Sequence, residues 1–263
     1  MLENKTIVVT GASSGIGLEI VKLLMQGKGN RILAIARHTT ALETLGENVI
    51  PFACDVSSAE GVDRIFDRAE ELFGKVDLFC ANAGFSYYEQ YESEDWSHIT
   101  DIYSTNAFSP MYTYVRYLRH LDGRPGHLAY TISAMGQMAM PGYALYTSTK
   151  FALHGFQQAI RLEMPDNLTL TCLYPVATAT NFFNVANKNK FDLPFPVQRA
   201  DVVARKMVKG LEKKKKSVSP CGLFTFARGL MGVLPFVRTI YWRIETGKFE
   251  RFLAAQKEGG EQA

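Results

Sequence analysis

Thr10-Gly11-Ala12-Ser13-Ser14-Gly15-Ile16-Gly17 is the stretch on which the fold of this chain turns. It follows Thr6–Thr10 (TIVVT), a run rich in β-branched residues that reads as a strand. It opens a pattern with Ile16, Ile20, Leu23 and Leu24 on one helical face, starting near Gly15. Glycines permit a tight turn and let a phosphate approach the backbone. The N–H groups and dipole of the following helix then face the anion. The spacing is G-x-x-x-G-x-G, not the common G-x-G-x-x-G, and a glycine-rich turn without a ligand has the same look.

Outward from this turn, short apolar runs alternate with helical patterns. Strands are expected at Arg31–Ala36, 49–54, 76–81, 128–133 and 168–174. Helices are expected over 58–73, 93–121, 143–164 and 201–215, with Pro165-Asp166-Asn167 ending the third. Near-continuous apolar strands separated by helices imply a parallel sheet covered on both faces. With right-handed crossovers this is an α/β fold: a Rossmann-type, doubly wound, three-layer α/β/α domain. The expected organisation is one catalytic domain over 1–220, a loop over 176–198, and a C-terminal helical extension over 221–263 packed on the domain.

Composition narrows the function. The 263 residues are 47% hydrophobic and 21% charged, as in soluble globular proteins, and a net charge of +3 gives no electrostatic case for nucleic acid binding. Cys54, Cys80, Cys172 and Cys221 form no C-x-x-C pair and have no histidine at ligand spacing, so buried reduced thiols are expected and no metal site. The N-terminus enters a strand by Thr6 without a basic or long apolar lead-in, so no signal peptide is expected and the location is read as cytoplasmic.

Tyr146-Thr147-Ser148-Thr149-Lys150 is a Y-x-x-x-K pair one helical turn apart. An ammonium beside a phenol favours the phenolate and lowers its pKa towards what proton transfer near neutrality needs. By itself the pair is also what a surface lysine beside a half-buried tyrosine looks like. Ser133 ends the fifth expected strand thirteen positions earlier, and Asn106 lies in the long preceding helix. Hydride transfer to a carbonyl builds negative charge on oxygen, and two hydroxyl donors meet that charge.

The T-G-A-S-S-G-I-G turn, with Asn106, Ser133, Tyr146 and Lys150 in this order, resembles the short-chain dehydrogenase/reductases over roughly residues 5–215. The resemblance implies that Tyr146 exchanges the proton at the substrate oxygen and Ser133 hydrogen-bonds that oxygen. Lys150 would hold the nicotinamide ribose and tune Tyr146, and Asn106 would help hold a water leading from Lys150 to solvent. It further implies cofactor contacts from Gly11, Ser13, Ser14, Gly15, Ile16 and Gly17, from Asp55 and Val56 at the adenine, and from Asn82-Ala83-Gly84. Tyr146, Lys150, Pro175, Val176, Thr178 and Thr180 would attend the nicotinamide half. Two positions depart from the pattern. Ala81 stands for the first asparagine of N-N-A-G, and Val176 stands where glycine is usual, which narrows the space and disfavours a positive φ. The resemblance also implies a homodimer or homotetramer built through the helices holding Asn106 and Tyr146.

The cofactor choice is read at the end of the second strand. An acid there pairs with the ribose 2′-OH of NAD, but Ala36 is uncharged and Arg37 follows. A guanidinium pairs with a 2′-phosphate, so NADP(H) is preferred with NAD(H) as the other option. The competing reading of Arg37 is a solvated arginine after a strand. Ser14 is not basic, and His38 is either an auxiliary or a bystander.

The substrate side is aromatic. Phe182, Phe183, Phe191, Leu193 and Phe195 lie in the 176–198 loop, either lining a site for a hydrophobic carbonyl or packing the loop onto its own domain. Tyr87, Tyr88 and Tyr91, and Met135, Met138 and Met140, carry the same two readings. The tail after Pro220 reads as two amphipathic helices broken near Pro235, packed on the loop or a second subunit, or lying on a membrane surface. The function expected is an NADP(H)-dependent oxidoreductase acting on a small hydrophobic carbonyl or alcohol. The alternatives are a non-catalytic dinucleotide sensor and a membrane-associated lipid-carbonyl reductase.

Overall fold

Alternation within the apolar runs sets the layers. In the strand Thr6–Thr10 (β1), Val8 packs into one core cluster while Ile7 and Val9 pack into another on the opposite face. The strand Arg31–Ala36 (β2) repeats this, with Leu33 and Ile35 on the first side and Ile32, Ala34 and Ala36 on the second. A sheet that is apolar on both faces needs helices on both, and the helices supply them. The computed structural model describes residues 1–187 and 191–260, apart from the side chains of 184, 185 and 258–260.

The remaining strands in chain order are Val49–Ala53 (β3), Leu78–Ala81 (β4), Gly126–Thr131 (β5), Leu168–Leu173 (β6), Ala177–Ala179 (β7), Val197–Arg199 (β8) and Ser217–Val218 (β9). Seven of them form one parallel sheet in the order β3-β2-β1-β4-β5-β6-β9. The order reverses at β1, so the crevice beyond the ends of β1 and β4 is the topological switch point where such sheets bind ligands.

The helices are Gly15–Leu24 (α1), Ala59–Phe73 (α2), Trp96–Tyr103 (α3), Ser109–Leu121 (α4), Ala144–Ile160 (α5), Phe182–Ala186 (α6), Ala200–Glu212 (α7), Gly222–Val233 (α8) and Pro235–Gly260 (α9). One face of the sheet is covered by α1 and α7, the other by α2, α4 and α5. Caps fix several ends. Ser58 accepts from the Gly61 N–H at 3.1 Å to start α2, and Gly74 at φ 66° stops it.

The expected elements are present, with boundary shifts of a few residues. Three differences have local causes. The single helix expected over 93–121 is α3, a π-helical turn Ser104–Phe108, and α4. Pro110 has no N–H to give the Asn106 carbonyl four residues back, and the Ser109 N–H instead reaches Ser104 O, five back. Strand β5 ends at Thr131, so Ser133 lies two residues beyond the strand. The parallel β7–β8 pair, not expected, joins the two ends of the 176–198 loop. The four cysteines are free and buried, as expected.

Candidate active site

The turn between β1 and α1 is held from beneath. Gly11 and Gly15 have φ of 63° and 55°, a conformation that disfavours any side chain. The Asn82 amide donates to Thr10 O at 3.1 Å, its Oδ1 accepts from Thr131 at 2.9 Å, and Thr10 Oγ1 accepts from the Asn82 and Ala83 N–H groups at 3.0 Å. Asn82 thus ties the ends of β1, β4 and β5 together beneath the turn. Gly17 is packed under it as well: a Cβ there would run into the Gly11 carbonyl and the Asn82 amide.

Helix α1 starts with no side-chain cap and no acid in its first turn. Its N-terminal residues Ser13, Ser14, Gly15 and Ile16 line a cleft of about 500 Å³. Uncapped N–H groups at the positive end of a helix dipole, facing a cleft, fit the pyrophosphate of a dinucleotide. Beyond them, Arg37 lines the same cleft as an exposed guanidinium, with no carboxylate partner among the described residues. His38 does not line it.

Ser133, Tyr146 and Lys150 meet at the inner end of the cleft, each more than nine-tenths buried. Ser133 sits at φ 137° and ψ 156°, a region that L residues rarely enter. It is held there by hydrogen bonds on both sides: Ile132 N–H to Leu173 O at 2.9 Å and Ala134 N–H to Pro175 O at 2.8 Å. The Ser133 hydroxyl donates to Pro175 O at 3.4 Å. It also accepts from the Met135 N–H at 3.1 Å.

Burial pushes the Tyr146 phenol up to about 12, with the nearby Ser133 hydroxyl pulling the other way. Burial also pushes the Lys150 ammonium down to about 7. Burial thus runs against the lowering expected from Lys150. Both groups are dry, so desolvation of each outweighs their mutual attraction. Tyr146 is therefore a protonated phenol at neutral pH.

Asn106 does not line the cleft. It is fully buried in the π-helical turn. Its Oδ1 accepts from the Phe85 N–H at 3.0 Å, and its amide donates to Phe85 O at 2.8 Å and Thr149 Oγ1 at 3.2 Å. It clamps the segment after β4 against α5, which carries Tyr146 and Lys150. Of the other expected cofactor positions, Gly11, Asp55, Val56, Ala83, Gly84, Pro175, Val176, Thr178 and Thr180 all line the cleft.

The aromatic loop divides. Phe182, Phe183 and Phe195 line the cleft, whereas Phe191 stacks on Tyr88 at 4.2 Å between ring centroids and Leu193 packs in the same cluster. Met135, Met138 and Met140 line it too. The three tyrosines do not. Tyr88 is buried behind the loop, Tyr87 stacks on His98 at 3.8 Å, and Tyr91 is exposed.

Sequence reasoning missed Phe85, Tyr143, Phe224 and Tyr241 as lining residues. The last two come from the tail, where no motif marks them. The tail packs on the loop: Tyr241 donates to Phe195 O at 2.6 Å, Trp242 Nε1 to Ala139 O at 2.8 Å, and Phe224, Met231 and Phe252 are buried. The described residues contain no cluster fit for a metal ion and no helix long and apolar enough to cross a membrane.

This geometry has known counterparts. The chain is 32% identical over 186 residues to YxnA, an uncharacterized oxidoreductase of Bacillus subtilis (strain 168), covering 66% of this chain and 52% of that protein. It thus spans about half the length of that relative. An alcohol dehydrogenase from the archaeon Thermococcus sibiricus, complexed with 5-hydroxy-NADP, superposes with a TM-score of 0.71 at 27% identity, covering 82% of this chain and 95% of that one. The fold is shared with a Burkholderia phymatum short chain dehydrogenase/reductase in complex with NAD, at a TM-score of 0.73 and 20% identity, over 94% of this chain and 97% of that one. The short chain dehydrogenase family model matches residues 5–190. With that match lying over a reversed parallel sheet and a glycine turn at its switch point, the chain belongs to the short-chain dehydrogenase/reductase family, a family of nicotinamide-dinucleotide oxidoreductases.

Proposed function

We propose that this protein is an NADP(H)-preferring reductase of small hydrophobic ketones or aldehydes, with Tyr146 as the acid. The observation that carries the reading is that buried Ser133 and Tyr146 line the same cleft as the uncapped α1 terminus. A nicotinamide bound there supplies the hydride, or accepts it in the reverse direction. The chain's own residues do the rest. Ser133 and Tyr146 give the cleft two hydroxyls that can stabilise a carbonyl oxygen gaining charge. Tyr146, protonated at neutral pH, donates its proton to that oxygen. Lys150 Nζ donates to Thr131 O at 3.2 Å and stands beside Tyr146 to steady the ribose hydroxyls and the phenolate left after proton transfer. Asn106 acts here as a positioning residue through Phe85 and Thr149.

NADP(H) preference rests on the exposed guanidinium of Arg37 in the cleft, next to the uncharged Ala36. The hydrophobic substrate class rests on the walls: Phe182, Phe183, Phe195 and three methionines. We place the catalytic unit in 1–220, with 221–263 as its cover. Exposed Phe108, Val115 and Phe151 on the helices around Asn106 and Tyr146 support assembly into a homodimer or homotetramer.

Fluorescence titration with NADPH and NADH, on the wild type and Arg37→Ala, tests the reading. Tighter NADPH binding that the variant loses supports it, followed by NADPH oxidation with hydrophobic carbonyls that Tyr146→Phe abolishes. NADH binding equal to or tighter than NADPH and indifferent to Arg37 overturns the cofactor choice. Absence of turnover across carbonyls and alcohols, despite cofactor binding, overturns the catalytic role.

A further inference from the structure

The last two helices are packed on one side and bare on the other. On α8, Leu223, Phe226, Leu230 and Val233 recur at spacings of three, four and three, which places them on one face. On α9, Phe236, Ile240 and Ile244 recur every four residues. Each of these seven side chains is between 38% and 78% exposed. Their opposite faces hold the buried Phe224, Met231 and Phe252. An apolar surface of this extent, outside any core, marks a contact with something apolar.

The charges in these helices are mostly basic. Residues 222–251 contain five basic and two acidic side chains. Glu245 is buried and paired with Lys248 at 2.9 Å, which leaves Glu250 as the exposed acid. Arg228 lies by His154 and Tyr174 and Arg238 over the Trp242 ring, whereas Arg243 and Arg251 have no carboxylate partner among the described residues. Arg243 and Arg251 fall at helical spacing along the α9 stripe. A two-fold contact between copies through this face would bring arginine against arginine, which is unfavourable. An anionic lipid surface complements both features: acyl chains for the stripe and headgroups for the arginines.

The bare face also adjoins the cleft. Leu223 is followed by Phe224, and Ile240 by Tyr241, both of which line the cleft, and Phe195 at its mouth is 61% exposed. A hydrophobic ligand dissolved in a bilayer would meet this mouth without crossing water. We infer that α8 and α9 form a lipid-binding surface, which seats the protein on anionic membranes with the cleft mouth at the interface. Lipid binding here is independent of which reaction the cleft performs.

Vesicle cosedimentation tests this, with phosphatidylcholine alone and with phosphatidylglycerol added. The wild type is expected in the pellet with the anionic vesicles. Phe226→Ser/Ile240→Ser/Ile244→Ser changes only exposed side chains and is expected to stay in the supernatant. Arg243→Gln/Arg251→Gln is expected to weaken anionic-vesicle binding by about fivefold per arginine removed. Thermal melting matching the wild type shows that both variants are folded. Wild type left in the supernatant with both vesicles overturns the inference, as does pelleting that survives the triple substitution. A dimer that the triple substitution dissolves, without vesicle binding, assigns the face to a second copy instead.

Discussion

The Lys150 Nζ lies 5.5 Å from the centroid of the Tyr146 ring, yet its hydrogen bond goes to the Thr131 carbonyl at 3.2 Å. The ammonium is thus held by the end of β5, beside the phenol and without a carboxylate. A buried cation with so little compensation is costly, and its pKa falls to about 7 from an ordinary 10.5.

Stability should show that cost. Between pH 7 and 10.5 the unfolded chain holds a proton on this lysine that the folded chain has shed, so stability rises with pH across that window. Lys150→Met lacks this dependence. It is expected to melt above the wild type at pH 6, with the gap narrowing as pH rises towards 10. A gap independent of pH, measured by thermal melting without cofactor, would sink the assignment of a buried charge.

Tyr146→Phe keeps the ring that packs edge-on to Tyr143 and Phe182 but removes the hydroxyl proposed to donate the proton. Turnover is expected to fall by about 100- to 10,000-fold while dinucleotide affinity stays near the wild-type value. Steady-state kinetics with a fluorescence titration separates the two. Residual turnover within tenfold of wild type would move the proton to another group.

Ser133 offers a trade between stability and chemistry. Its φ of 137° costs a non-glycine residue about 1–3 kcal/mol. Ser133→Gly should relieve that strain, whereas Ser133→Ala keeps it, and both remove the hydroxyl. Both variants are expected to lose activity, with Ser133→Gly melting about 2–4 °C above Ser133→Ala. The reverse order would mean that the backbone there is not strained.

The tail should govern substrate affinity. Tyr241→Phe deletes the 2.6 Å hydrogen bond to Phe195 O, worth about 1 kcal/mol. KM for a hydrophobic carbonyl is expected to rise roughly fivefold with kcat little changed. Limited proteolysis of the 176–198 loop should also speed up. An unchanged KM would place the substrate away from Phe195.

The sheet and the inner end of the cleft were legible because their signals are local. The strands are unbroken apolar runs, and the glycine turn and the Y-x-x-x-K pair are each written within a few consecutive positions. What stayed hidden was set by tertiary contact. The raised Tyr146 pKa follows from burial that spacing does not encode. The π-helical turn needed the position of Pro110 relative to Asn106. Phe224 and Tyr241 reach the cleft only because α8 and α9 fold back over it, and the sequence offers no period linking positions so far from the catalytic motif. The 176–198 phenylalanines were undecided for the same reason, and they divide between cleft and core.

Two sealed cysteines, Cys80 and Cys172, make this protein its own clock. Burial raises the Cys80 thiol to about 12 and the Cys172 thiol to about 11, so in the closed fold neither presents the thiolate that an alkylating reagent attacks. Cys80 lies in β4 at the centre of the sheet, Cys172 in β6, and Cys221 just before the tail. Cys80 and Cys172 therefore react only when their own neighbourhoods open. The order in which these two are labelled would time-stamp how the sheet comes apart, from the β6 side first or from the centre, with no probe added to the chain.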